Sequence, residues 1–175
     1  MATKKSMWVL FGILVISAWV LGSVIQVGAE TLRFKVSNYQ TQREVIQVGD
    51  MEGHIIMPHT RRGLAFFENG DVATYTNWAT FDFIKGKGAI DAYTMLTFED
   101  GSTIVYKFKG IWEPGPKSSP VGKGTGEFTN GTGRYEGIKG ELTWNGKRYT
   151  LYSKEKGTLG DFVLEVTATY TIPPK

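Results

Sequence analysis

Apolar and polar residues alternate with a period of two along most of the chain after residue 30. The clearest case is the segment 162–172, whose even positions are Phe162, Leu164, Val166, Ala168, Tyr170 and Ile172. Because successive side chains of a strand point to opposite faces, this pattern predicts a strand with one buried and one wetter face. Pro173 and Pro174 end it, since proline cannot donate to a ladder. No segment after residue 30 shows a convincing helical period.

Turn-forming dipeptides separate these alternating segments. Asn69-Gly70, Asp100-Gly101, Asn130-Gly131 and Asn145-Gly146 accept the positive φ angles of tight hairpins, and Lys85–Gly88 is a further predicted turn. The predicted strands are Leu32–Val36, Gly53–Phe67 with an interruption at Pro58, 72–84, 89–99, 102–112, Gly124–Thr129, 137–144, 147–153 and 162–172. Such a series predicts an all-β, antiparallel meander. A closed barrel is favoured because closure removes exposed edges, and a two-sheet sandwich is the alternative.

The first 29 residues follow a different pattern. Lys4 and Lys5 precede the uncharged segment Trp8–Ile25, and small residues lead up to Ala29. This is the three-part pattern of a signal peptide comprising residues 1–29. The apolar segment is also long enough to span a bilayer, so a retained membrane anchor formed by residues 8–25 is the alternative. Either way, residues 30–175 are expected to form one exported domain, periplasmic or extracellular, with no other membrane contact.

Composition narrows the classes of function. The net charge of +3 comes largely from Lys4 and Lys5, because residues 30–175 carry 18 basic and 17 acidic residues, so a nucleic-acid partner is not expected. The absence of cysteine excludes disulfides, thiolate metal sites and a cysteine nucleophile. His54 and His59 are the only imidazoles. We predict that both are surface residues, and we expect neither a metal nor a cofactor.

Seven glycines lie between residues 122 and 140. They lead into the predicted strand segment Glu141–Trp144 and do not open a helix, which argues against a phosphate-binding loop. Glycines here are expected to permit sharp strand bending at barrel corners. The stretch 124–142 resembles the late hairpin of the allene oxide cyclase and dirigent barrel superfamily. Residues 130–140 match its pattern Gly-Gly-Ser/Thr-Gly-aromatic-x-Gly-x-x-Gly, with Asn130 in place of the first glycine.

This resemblance implies a single antiparallel eight-stranded barrel with a mostly apolar lumen and, in many members, a homotrimer. Allene oxide cyclases close a ring on an unstable fatty-acid epoxide, and dirigent proteins guide the coupling of phenolic radicals. The polar active-site residues of neither group align with this sequence, and the cyclase cysteine has no counterpart. The resemblance therefore implies a fold and leaves the activity open.

The alternating pattern also selects residues for the lumen. In the segment 72–84 the odd-numbered positions, which share one face of the predicted strand, hold aromatic and amide side chains. The segment 102–112 contributes further aromatic rings. Their polar tips are able to orient a ligand by hydrogen bonds within an aromatic pocket. Together with an acidic residue near the glycine-rich hairpin, the predicted ligand-binding residues are Tyr75, Asn77, Phe81, Tyr106, Phe108 and Glu127.

Three functions are compatible with these features. The first is an exported barrel that binds a small hydrophobic molecule in its lumen. The second is an isomerase or cyclase of the allene oxide cyclase or dirigent type that uses the same cavity, with Glu127, Asn77 or Tyr75 as polar participants. The third is a structural envelope protein without a ligand. The sequence leaves open whether the protein is an enzyme.

Overall fold

The computed structural model describes residues 28–116 and 119–174. The predicted signal peptide lies outside these residues except for Gly28 and Ala29. Among the residues described, none forms a helix long and apolar enough to cross a bilayer. Nearly all of the regular structure is β-strand, with a short 3-10 turn at Gly133–Tyr135.

The strands follow one another along the chain with short connections. They are β1 (Glu30–Arg43), β2 (Ile46–Gln47), β3 (His54–Phe67), β4 (Val72–Ile84), β5 (Lys87–Phe98), β6 (Thr103–Glu113), β7 (Val121–Gly131), β8 (Lys139–Arg148), β9 (Tyr152–Ser153), β10 (Thr158–Leu159) and β11 (Phe162–Thr171). The predicted strands 72–84, 89–99 and 102–112 agree with the observed strands β4, β5 and β6 to within about three residues at each end.

Eight of these strands close into an antiparallel barrel. Their order is β1-β11-β8-β7-β6-β5-β4-β3, and β3 pairs again with β1. The short strand β2 extends β3 at one end, while β9 and β10 form a small hairpin between β8 and β11. The prediction of an eight-stranded antiparallel barrel is confirmed, and the sandwich alternative is wrong.

Two predicted interruptions are absent. Pro58 lies inside β3, where β3 changes its neighbour from β2 to β1, so that the missing N–H falls at a gap between two ladders. Asn145 and Gly146 lie inside β8, opposite Glu165 and Leu164, and do not form a turn. The predicted strand 147–153 is accordingly wrong, because β8 continues to Arg148 and a separate hairpin follows.

Of the other predicted turns, those at Gly70, Gly101 and Lys85–Gly88 are confirmed, and the one at Asn130-Gly131 is wrong. Gly70 and Gly101 have φ angles of +91° and +81°, and both occupy hairpin turns as predicted. Lys85 and Gly86 also have positive φ angles, at 51° and 81°, and connect β4 to β5. The Asn130-Gly131 pair instead forms the end of β7, and the connection to β8 runs through the 3-10 turn.

Aromatic rings fill the inside of the barrel. Ring contacts run without a break from Tyr135 at one end to Phe162 at the other, with centroid separations between 4.8 and 6.4 Å. These rings belong to Phe34, Phe67, Phe98, Tyr106, Phe108, Trp112, Tyr135, Trp144 and Phe162. Offset and edge-to-face pairs of this kind add to the free energy gained by burial.

The glycines of β7 make room for these rings. A Cβ atom on Gly124 would lie 2.7 Å from Nε1 of Trp144, and one on Gly122 would lie 2.5 Å from the ring of Trp112. Gly146 of β8 is similar, since its Cβ would lie 3.0 Å from the same Trp112 ring. The glycine-rich segment therefore provides space for indole rings, a role beyond the strand bending that the sequence suggested.

Candidate functional site

Five of the six predicted site residues lie inside the barrel. Tyr75, Asn77, Phe81, Tyr106 and Phe108 are all buried on the inner faces of β4 and β6. Glu127 is exposed and pairs in register with Lys107 on β6, so its expected place among the lumen residues is wrong. Ligand binding by the other five residues stays a prediction.

The sequence reasoning missed several polar residues that share this lumen. Asn38 of β1 and His59 and Arg61 of β3 are buried, with exposed fractions of 3%, 5% and 6%. The prediction that His59 is a surface residue is therefore wrong. The signal was present in the alternation, because His59 and Arg61 occupy the same phase of β3 as Ala65 and Phe67.

Arg61 is held at one end of the lumen by neutral groups. Its Nε donates to Oδ1 of Asn38 at 2.5 Å, and its Nη2 donates to the carbonyl oxygen of Gly160 at 2.5 Å. The guanidinium carbon lies 3.8 Å from the ring centroid of Phe162, and that of Arg148 lies 4.9 Å from the same ring. The ring of Phe162 thus contacts the guanidinium groups of both Arg61 and Arg148.

Among the residues that the structure describes, no carboxylate lies within 4.0 Å of either guanidinium. Burial lowers the pKa of Arg61 to about 9, which still leaves it protonated at neutral pH, and burial also lowers the pKa of Arg148. Asp161 favours the charged form of Arg61, but burial outweighs it. The result is a positive region with little internal compensation.

Four buried polar atoms at this end lack a hydrogen-bond partner among the described residues. They are Asn38 Nδ2, His59 Nε2, Trp112 Nε1 and Arg148 Nε. Since Nδ1 of His59 faces the carbonyl oxygen of Met57 at 3.2 Å, Nδ1 carries the hydrogen of the neutral ring and Nε2 is an acceptor. The other three atoms are donors.

The titration of His59 follows from the same surroundings. Burial lowers its pKa to about 4, and the positive charges of Arg61 and Arg148 act in the same direction. The imidazole is consequently neutral at physiological pH. It stacks on Phe81, with 4.6 Å between ring centroids and 12° between ring planes.

A small cavity lies among these groups. It has a volume of about 20 Å³, and Asn38, His59, Arg61 and Trp112 contribute to its lining. A cavity of this volume accommodates about one water molecule. The rest of the lumen beside it is occupied by aromatic rings, so this end combines a tight apolar wall with unpartnered hydrogen-bonding groups.

One segment covers this end of the barrel. Residues 149–161, here called the cover segment, connect β8 to β11 and supply the Gly160 carbonyl oxygen that Arg61 binds. The segment is closed at its base, where the backbone N–H of Tyr149 donates to the Asp161 carbonyl oxygen at 2.8 Å. Tyr152 lies under the guanidinium of Arg43, which is 4.3 Å from its ring centroid.

The remaining polar groups of the lumen offer little acid–base chemistry at neutral pH. Burial raises the pKa of Tyr75 to about 12 and that of Tyr106 well above its ordinary value. Asn77 donates through Nδ2 to the carbonyl oxygen of Tyr93 and to the Thr94 hydroxyl, both at 3.1 Å. Within residues 28–116 and 119–174, no three His, Cys, Asp or Glu side chains come together as in a metal site.

Among comparisons with known proteins, only those with solved structures gave matches, and these have a similar fold. No protein-family model matches the sequence, and no curated protein matches it. A pterocarpan synthase dirigent protein superposes with a TM-score of 0.50 at 14% identity, over 99% of this chain and 100% of that one. A conserved protein of unknown function from Rhodopseudomonas palustris gives a TM-score of 0.52 at 13% identity, over 81% of this chain and 98% of that one. The protein is therefore similar in fold to this dirigent protein, and the shared fold is an antiparallel eight-stranded barrel.

Proposed function

We propose that this protein is an exported barrel that binds a small, mainly apolar molecule at the Arg61 end of its lumen. The observation that carries the proposal is the set of three unpartnered polar atoms, on Asn38, His59 and Trp112, whose residues line one cavity. A buried polar group without a partner costs about 1–3 kcal/mol, so three such atoms around one cavity indicate that partners come from outside the chain.

The walls of the site support an apolar ligand. Phe81, Trp112 and Phe162 surround the cavity with rings, and Trp112 contacts both phenyl rings edge-on at 6.2 and 4.9 Å. Flat apolar surfaces bind well between such rings, because burial contributes about 25 cal/mol per Å² of apolar area. The unpartnered donors then orient an oxygen atom of the ligand.

A ligand larger than one water molecule requires movement of the cover segment. The cover segment contacts the barrel through the Arg61–Gly160 hydrogen bond and through the stacking of Arg43 on Tyr152. Connections of this kind, with few buried apolar contacts, open at low free-energy cost compared with barrel strands. The segment therefore serves as a lid in this proposal.

A ligand-free structural barrel is the second candidate. It is favoured by the filled lumen and the small size of the cavity. An isomerase or cyclase is less well supported, because His59 has the only imidazole in the lumen and its pKa of about 4 makes it a weak base. Export rests on the signal-peptide pattern of the sequence, in which Lys4 and Lys5 precede the uncharged segment Trp8–Ile25.

Thermal unfolding of the purified protein with a panel of phenolic and fatty-acid compounds tests the proposal. A ligand at one hundred times its Kd adds about 2.7 kcal/mol to the free energy of unfolding, which raises the melting temperature measurably. Trp112→Phe removes one unpartnered donor and is expected to weaken binding, whereas the control Trp78→Phe changes an exposed indole. If no compound in the panel shifts the melting temperature, the structural role stands instead.

A further inference from the structure

We propose that the molecule bound at this end of the lumen carries a carboxylate group, and that Arg61 is the residue that binds it. This inference rests on the proposed function and names the chemical class of its ligand. The charge balance at the covered end of the barrel favours such a group.

Both hydrogen-bond acceptors of Arg61 are neutral oxygens. One belongs to the amide of Asn38 and the other to the backbone of Gly160. A guanidinium has five N–H donors in a planar fork that matches the two oxygens of a carboxylate. A neutral ligand oxygen would satisfy one donor and leave the buried charge without compensation.

A second cation strengthens the same conclusion. Arg148 is packed against the Phe162 ring that Arg61 also contacts, and its Nε has no partner among the described residues. Asp161, whose charge favours the protonated form of Arg61, is exposed, and its Oδ2 already accepts a hydrogen bond from the Thr150 hydroxyl at 2.6 Å. A buried unpaired charge is strongly unfavourable, so an anion from outside gains the most at this position.

The neighbouring donors fit an acid as well. Nδ2 of Asn38 and Nε1 of Trp112 are unpartnered, and both belong to residues that line the cavity. Nε2 of neutral His59 is an acceptor facing the same place. A carboxylate placed beside it favours the imidazolium form, so ligand binding is expected to raise the pKa of His59.

The experiment compares an acid with its neutral isostere. We would titrate the full-length protein with trans-cinnamate and with trans-cinnamamide at pH 7, using calorimetry and the NMR signals of the His59 ring. The acid is expected to bind at least tenfold more tightly. The apparent pKa of His59 is expected to increase with cinnamate and to remain unchanged with the amide.

Two variants locate the effect. Arg61→Gln is expected to abolish the preference for the acid, while Arg62→Gln, next to it on β3 but exposed on the outer face, is expected to retain it. If Arg61→Gln does not fold, Arg148→Gln and the His59 titration of the parent protein decide the question. Equal binding of acid and amide by the parent would overturn the carboxylate and leave the proposed function intact. Binding of neither probe would overturn the carboxylate, and would overturn the proposed function as well if no compound of the melting panel shifts the melting temperature.

Discussion

Replacing Phe81 by Trp tests whether the lumen is filled. The Phe81 ring stacks on His59 at 4.6 Å and on Phe83 at 4.4 Å, and Trp112 meets it edge-on at 6.2 Å. The cavity beside it has a volume of about 20 Å³, which is about the room one water needs. The second ring of an indole needs more space than this, so the tryptophan must displace its neighbours.

The expected cost follows from that displacement. Overpacking a well-packed core destabilises a protein by about 1–3 kcal/mol. For a domain of this size, each kcal/mol lowers the melting temperature by about 2–4 °C. We therefore expect Phe81→Trp to melt roughly 2–12 °C below the parent protein in a calorimetric or dichroism scan.

Phe66→Trp is the matched control for this experiment. Phe66 lies on the same barrel but on the outer face of β3, with 46% of its surface exposed. Its replacement is expected to change the free energy of unfolding by less than about 0.5 kcal/mol. If Phe81→Trp melts at the same temperature as the parent, the lumen contains more free space than one water molecule, and our description of a filled core is wrong.

Three further predictions concern single contacts. His54 donates from both ring nitrogens to Asp50 and Asp82, and these bonds raise its pKa. The free energy of unfolding that His54→Gln removes is therefore expected to be largest below about pH 6.5 and to vanish as the pH rises through the raised pKa of His54. Urea unfolding at several pH values measures this difference. Gly124→Ala places a Cβ atom 1.9 Å from the Lys109 carbonyl oxygen and 2.7 Å from Nε1 of Trp144, so we expect a loss of about 1–3 kcal/mol and altered tryptophan fluorescence. Asn77→Ala removes the donor to the Tyr93 carbonyl oxygen and to the Thr94 hydroxyl. It is expected to lower the free energy of unfolding, measured in urea, by about 1–3 kcal/mol.

The glycine and asparagine predictions each have a control on the exposed surface, and the histidine prediction is checked by its pH dependence. For the histidine, a difference between parent and variant that is the same at pH 5.5 and pH 8.5 would contradict the charged pair of bonds. Thr125→Ala, next to Gly124 but exposed, is expected to leave stability and fluorescence unchanged. Asn145→Ala serves the same purpose for Asn77, and an equal loss in both would show that the buried amide has no special role.

The strands could be predicted because their cause is local. Alternation over 72–84 and 162–172 follows from which side chains must avoid water, and the turns at Gly70 and Gly101 need positive φ angles that glycine adopts easily. The error at Gly146 has the opposite origin. Its glycine is required by side chains of other strands, because a Cβ atom there would lie 2.5 Å from Leu164 of β11 and 3.0 Å from the ring of Trp112 in β6.

The site could be predicted only in part for the same reason. The sequence identifies Tyr75, Asn77 and Tyr106 because aromatic and amide groups lie among apolar positions of their strands. His59 and Arg61 also share their face of β3 with apolar residues, but the sequence analysis predicts His59 at the surface and does not select Arg61. Charged side chains are mostly exposed, so the general rule does not predict the buried guanidinium of Arg61. Glu127 was placed inside by proximity in sequence to the glycine-rich hairpin, and pairing with Lys107 puts it outside.

The alternation and the turns by themselves determined an all-β, antiparallel series of strands, because each depends on residues close together in the chain. They favoured a barrel, but the pairing of β3 with β1 that closes it is a long-range contact. Tertiary structure alone decided what the barrel contains. Closure brings Asn38, Arg61, Arg148 and Phe162 from four strands to one end of the lumen, where the cover segment binds the buried guanidinium of Arg61 through the Gly160 carbonyl oxygen. Whether a charged side chain lies in water or inside a barrel depends on such long-range contacts, so the positive end of the lumen could not be read from the sequence of any one strand.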